Sequence, residues 1–283
     1  MPYSIKGYQF DLPKFFPIAV MDKVTQVRVE RPKVIAQAAR ARRRRPALTE
    51  DGKLTILAAD HPARMITRSG DDALAMGDRQ QYLGRVARVM ASASVDGVMG
   101  TTDIIEDLLI VDHLVQENGG PSFLDERVIL GSMNRSGLAG SAWELDDRYT
   151  CFSAESIADL IKIIGVAFAM GETSALTWLK IPYCDDYEKV ARAATCPMLM
   201  LGGESRGDPT GTLQEFAQGM KAGGTIRGAL VGRNVTFPGD DDPLAVARAI
   251  HAIVHEGLDA EQAADRLMKE RNADLDALTK YLA

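Results

Sequence analysis

Cysteine is scarce in this 283-residue sequence, with only Cys151, Cys184 and Cys196 present. They fall in no paired or metal-ligand spacing. That excludes a disulfide scaffold and a thiolate zinc module, and it suits a reducing cytoplasm. Long apolar runs are missing too: the longest, near Ile161 to Met170, is too short to span a bilayer, so no membrane association is expected. Charged residues interrupt every apolar stretch near the N-terminus, which is not the form of a signal peptide. Nor does one sign of charge dominate: 33 Lys and Arg against 39 Asp and Glu leave a net charge of -6, which argues against a general nucleic-acid binder. The run Arg42-Arg43-Arg44-Arg45 reads as the solvated end of a helix over Pro32 to Arg45, closed by Pro46.

Histidine is rare as well. His251 and His255 have the i, i+4 spacing of a metal pair, but no third ligand is evident in the sequence. They read as helix-surface residues, and no metal is expected.

What the chain does have is a strand-then-helix rhythm. Candidate strands begin near residues 54, 95, 128, 175, 197 and 228. Each is a short apolar run bounded by turn residues, the signature of a buried parallel strand. Polar groups collect at their carboxyl ends, the face on which parallel α/β barrels build active sites. Residues 1–50 form a helical extension, 51–257 the α/β barrel and 258–283 a C-terminal helix.

Lys180 ends the run Ala175-Leu176-Thr177-Trp178-Leu179-Lys180-Ile181-Pro182. Apolar neighbours disfavour its ammonium form, lower its pKa and supply the neutral amine that Schiff-base chemistry needs. The alternative is a strand-end lysine reaching into solvent. Gly202-Gly203 and Gly232-Arg233 close the last two strands. In closed barrels those loops commonly hold phosphate, and Arg233 could add a forked contact to it. The alternative is a pair of plain tight turns.

The segments Ala59-Asp60-His61-Pro62-Ala63-Arg64, Asp96-Gly97-Val98-Met99-Gly100-Thr101, Ser132-Met133-Asn134-Arg135, Thr177-Trp178-Leu179-Lys180 and Val231-Gly232-Arg233 together resemble class I aldolases of the DeoC/LacD type. The resemblance runs over roughly residues 30–256 and is strongest to the branch found beside inositol-catabolism genes in actinobacteria. It implies a (β/α)8 TIM barrel with the Schiff-base lysine at Lys180, an acidic group at Asp60, and phosphate binding at Gly202, Gly203, Gly232 and Arg233. It also implies a phosphorylated keto sugar or sugar acid as substrate, and no cofactor beyond the lysine. Asp60, with His61, would position or deprotonate the substrate hydroxyl. Asn134 and Arg135 would contact hydroxyls, and Asp103 is a further polar candidate. A surface loop is the alternative for Asn134 and Arg135, and a strand-end cap for Asp60-His61.

Spacing departs from that family. If Lys180 closes the sixth barrel strand, strands four and five must fit between Ser132 and Thr173. That stretch reads as a polar loop followed by one helical run, Ala154 to Met170. At about 30 residues per unit, two βα units of the barrel are missing. Either Ile161 to Phe168 is a strand, or the barrel is incomplete, or a partner chain completes it. Open strand edges invite self-association, so a homo-oligomer is expected. The expected activity is that of a class I aldolase. The other readings are a catalytically reduced phospho-ligand-binding relative and a phosphosugar isomerase or epimerase.

Overall fold

The computed structural model describes residues 2–91, 95–132, 156–170 and 172–282. At its centre lie β1 (Leu54–Ala59), β2 (Gly97–Gly100), β3 (Val128–Gly131), β4 (Leu179–Pro182), β5 (Met198–Leu201) and β6 (Ile226–Val231). They form one sheet in the order β3-β2-β1-β6-β5-β4, and every pairing is parallel. The chain winds outward from β1 to β3, crosses to the far edge at β4, and winds back to meet β1 through β6. That is the strand order of a TIM barrel with its fourth and fifth strands left out.

Strand pleating explains the two faces. Leu54, Ile56 and Ala58 of β1 join Val128, Leu199 and Leu230 in a small cluster with Met99 and Trp178. Strands supply nearly all of it and no helix contributes, so the sheet curls to cover its own inner face. The alternate residues Leu57, Ala59, Leu179, Ile181, Met198 and Met200 face outward into the larger core shared with the helices. Both faces of β1 are buried, which is why it reads as a continuous apolar run.

Between strands run α4 (Arg79–Met90), α5 (Thr102–Glu117), α6 (Ile157–Phe168), α7 (Tyr187–Ala191) and α8 (Thr210–Gly219). Asp78 caps α4 by accepting from Gln81 N, and Ser156 caps α6 by accepting from Asp159 N; both are standard N-cap chemistry. Because α6 is helical, Ile161 to Phe168 supplies no strand. Among the described residues, none pairs with the outer edge of β3 or β4.

Three helices precede the sheet: α1 (Leu12–Phe15), α2 (Ile18–Glu30) and α3 (Lys33–Ala41). Phe15, Phe16 and Val20 join the main core. The arginine run is less solvated than its sequence suggests. The helix stops at Ala41, and Arg42 turns inward to donate to the Leu124 and Arg127 carbonyls. Arg45 donates to Asp96, while exposed Arg43 pairs with half-buried Asp125.

After β6 come α9 (Arg233–Thr236) and α10 (Pro243–His251), the latter extended by a wider helical turn, Ala252–Glu256. The single C-terminal helix expected from the sequence is in fact two, α11 (Ala260–Glu270) and α12 (Thr279–Leu282). The break has a cause. Arg271 leaves the helix to grip Asp241 with two hydrogen bonds, and Asn272 and Asp274 adopt left-handed backbone, as Asn and Asp tolerate better than most. No described helix is long and apolar enough to cross a membrane.

Candidate active site

Lys180 is the second residue of β4, not the last of a strand begun at 175. Residues 173–177 form turns instead, with Ala175 N on Thr173 Oγ1 and Thr177 N on the Ser174 carbonyl. Pleating puts Lys180 on the same face as Trp178, a contributor to the inner cluster. The side chain therefore points into the curl of the sheet and not toward the helices. There the charges acting on its amine are those of Asp60, Arg64 and Arg233. Burial pushes the amine below the ordinary lysine range; Asp60 opposes this, while Arg64 and Arg233 add to the depression.

The same residue is nonetheless exposed. Its strand is an edge strand, and so is β3, where inward-facing Leu130 is 37% exposed. Among the described residues, no strand covers this side of the lumen. Water at the amine favours the ammonium form, so the depression is smaller than a closed barrel would give.

Asp60 follows β1 on the inward parity of Ile56 and Ala58 and is 2% exposed. Its Oδ2 accepts from Ser132 Oγ at 3.1 Å and lies 3.9 Å from Arg64 Nη1. The short helical turn Pro62–Arg64 folds Arg64 back over it. His61 is largely buried, with Nδ1 3.3 Å from the Tyr82 hydroxyl. Burial pushes its pKa down to about 4; Asp60 opposes, while Arg233, Lys180 and Arg64 push the same way. A ring that binds protons so weakly is neutral at pH 7 and a poor general base. Its place here is as a neutral hydrogen-bonding group, beside the carboxylate of Asp60.

The two glycine loops sit at the carboxyl ends of β5 and β6. Gly203 has φ +68, a left-handed turn for which glycine is the natural residue. Asn234 bridges the loops by donating to the Gly202 carbonyl and to Thr212 Oγ1. Arg233, with only 17% of its side chain exposed, reaches Glu204 Oε1 at 3.1 Å.

Asp103 lies in the first turn of α5, where it accepts from Thr101 and pairs with Arg79 Nη1 at 2.7 Å. Its charge also acts on Tyr82, which places it at the margin of the cluster. Asn134 and Arg135 lie outside the described residues. Sequence reading gave no role to Arg64, Ser132 or Tyr82. Arg64 carried a signal, four residues beyond Asp60 in a Pro-led turn; Tyr82, on a helix 21 residues from His61, carried none.

Lys180, Asp60, His61, Arg64 and Arg233 thus form an inward-facing cluster with three cationic side chains around one buried carboxylate. It suits an anionic, carbonyl-bearing ligand. The class defined by fold and site is a parallel α/β protein of TIM-barrel type, with six strands among the described residues and a polar lumen. The chain belongs to the Cgl0159-like family, whose model matches residues 52–160 and 158–254. Those two segments meet where the sequence places the missing units. The structure is similar to the crystal structure of Cgl0159 from Corynebacterium glutamicum (Brevibacterium flavum), with TM-score 0.72 and 27% identity over 84% of this chain and 98% of that one. Over 84 residues the chain is 32% identical to 2-amino-3,7-dideoxy-D-threo-hept-6-ulosonate synthase 1 of Archaeoglobus fulgidus, and that match spans 30% of each protein.

Proposed function

We propose that the chain is a class I aldolase that makes or breaks a carbon–carbon bond in a phosphorylated keto sugar or sugar acid. The observation that carries this reading is the inward Lys180 amine, depressed by burial and held near the carboxylate of Asp60. The distant relative named for synthesis of a hept-6-ulosonate, a keto acid, is in keeping with it.

In cleavage, the neutral Lys180 amine attacks the substrate carbonyl and the carbinolamine loses water to give an iminium. Asp60 takes the proton of the hydroxyl on the far carbon of the bond to be broken, the carbon β to the iminium. That bond breaks, its electron pair moves into the iminium, and an aldehyde leaves. The resulting enamine is protonated at carbon and hydrolysed, which returns the free lysine. Ser132 and Arg64 hold the Asp60 carboxylate in place. Arg233 and the turns at Gly202, Gly203 and Gly232 cradle the phosphate.

The exposure of Lys180 favours a second reading, a phospho-ligand-binding relative without turnover. Kinetics with keto-phosphates separate the two. An aldolase releases aldehyde, and Lys180→Met abolishes that release while phosphate still raises the melting temperature. Phosphate stabilisation with no turnover in the unmodified chain leaves only the binding reading. The edges of β3 and β4, unpaired among the described residues, support self-association, and the absence of disulfide spacing supports a cytoplasmic setting.

A further inference from the structure

A second cluster lies at the other end of the sheet from Asp60 and Gly232. Asp96 stands immediately before β2, while His251 and His255 sit on α10 and its wide final turn. One ligand-type atom from each comes within 4.8 Å of the others. The sequence shows only the histidine pair; the fold brings in the third member from 159 residues before His255. Neither histidine is a free surface residue, and their rings stack with centroids 4.2 Å apart.

The cluster is already organised. His255 Nε2 lies 3.0 Å from Asp96 Oδ2, and its Nδ1 lies 2.8 Å from Asp51 Oδ2. Asp96 also accepts from Thr55 N at 2.7 Å and from Arg45 Nη1 at 3.3 Å. His251 Nδ1 is buried with no hydrogen-bond partner, and a buried polar atom left unsatisfied is costly. A cavity of about 490 Å³ opens on the group.

We propose that Asp96, His251 and His255 bind one divalent transition-metal ion of the zinc class. Two imidazoles and a carboxylate suit such an ion and not magnesium or calcium, which take oxygen ligands. Metal binding replaces the His255 Nε2–Asp96 hydrogen bond with two bonds to the ion. Asp51 stays on His255 Nδ1 as a positioning residue, the carboxylate–histidine–metal arrangement that fixes the ring and raises its basicity. Arg45 and Arg127 line the same cavity and oppose a cation, while Glu50, Asp51 and Glu126 offset them. The ion ties the end of α10 to the start of β2, on the barrel face that serves stability more than chemistry. Its effect is therefore on folding and not on turnover.

The test uses the full chain stripped of metal and titrated with Zn²⁺ alone by calorimetry and thermal unfolding. One ion binds per chain, and the melting temperature rises by about 5–10 °C at a hundredfold excess over Kd. His251→Phe keeps a stacked ring but removes the nitrogens; it folds without metal and loses both stoichiometric binding and the shift. Asp51→Asn weakens binding by about 10–100-fold. The proposal is overturned if the unmodified chain takes up no stoichiometric Zn²⁺. It is equally overturned if His251→Phe binds as tightly, or if Mg²⁺ gives the same shift.

Discussion

His61 packs so close to Gly232 that a Cβ built on that glycine would stand 2.4 Å from His61 Cε1 and 2.8 Å from Nε2. The glycine is required for space, since any side chain there would overlap the His61 ring. It lets the first strand-end loop, which carries Asp60 and His61, lie against the last, the proposed phosphate loop.

Gly232→Ala therefore displaces His61 from Tyr82 and disturbs both halves of the site. Overpacking of this kind costs about 1–3 kcal/mol. Chemical unfolding measures that cost, and phosphate titration is expected to show weaker binding in the same variant. Unchanged stability and unchanged phosphate affinity together would contradict this close packing.

The depressed His61 has a consequence for pH. Its folded value is about 4 against an ordinary 6.5, with burial the main cause. The unfolded chain thus takes up a proton at His61 between those values while the folded chain does not, so stability falls as pH drops from about 6.5 to about 4. The full loss is about 3 kcal/mol. Urea unfolding across this window, compared with His61→Asn, isolates the effect: the variant loses that part of the slope. A variant with the full slope shows that other groups are responsible.

Arg233 and Glu204 make an ion pair at the mouth of the proposed phosphate loop, with the glutamate side chain 83% exposed. A bound phosphate must compete with that carboxylate. Exposed pairs contribute about 0–1 kcal/mol, so Glu204→Gln tightens phosphate binding by a few-fold, whereas Arg233→Gln weakens it. Equilibrium titration with inorganic phosphate reads both signs.

The buried pair Arg88–Asp242 is fully enclosed on both sides. Arg88 meets Asp242 with two hydrogen bonds and also donates to the Ala273 and Asp274 carbonyls. Asp242 in turn caps α10 through Leu244 N. Asp242→Asn leaves a buried guanidinium uncompensated, at a cost of about 3–5 kcal/mol. A denaturant midpoint close to that of the unmodified chain would count against this.

Local signals made much of the fold legible. Short apolar runs with turn residues marked all six strands, and the 132–173 interval was too short for two more units. Lys180 stood out because a charged residue inside an apolar run needs a reason. The apolar pair Ala175-Leu176 extends the predicted strand too far toward the N-terminus, since Leu176 is 90% exposed on a turn. Contacts made by the closing sheet left no trace in sequence. Tyr82 reaches His61 from a helix, Ser132 reaches Asp60 across two strands, and Asp96 joins a histidine pair from the far end of the chain. The break at Arg271 depends likewise on a carboxylate 30 residues away.

Reductive trapping tests the central claim most directly. The full-length protein is mixed with a keto-phosphate, reduced with borohydride, digested and analysed by mass spectrometry. A covalent adduct on Lys180, absent without substrate and absent in Lys180→Met, is the predicted result. A chain that turns over keto-phosphate yet carries no adduct at Lys180 would contradict the account.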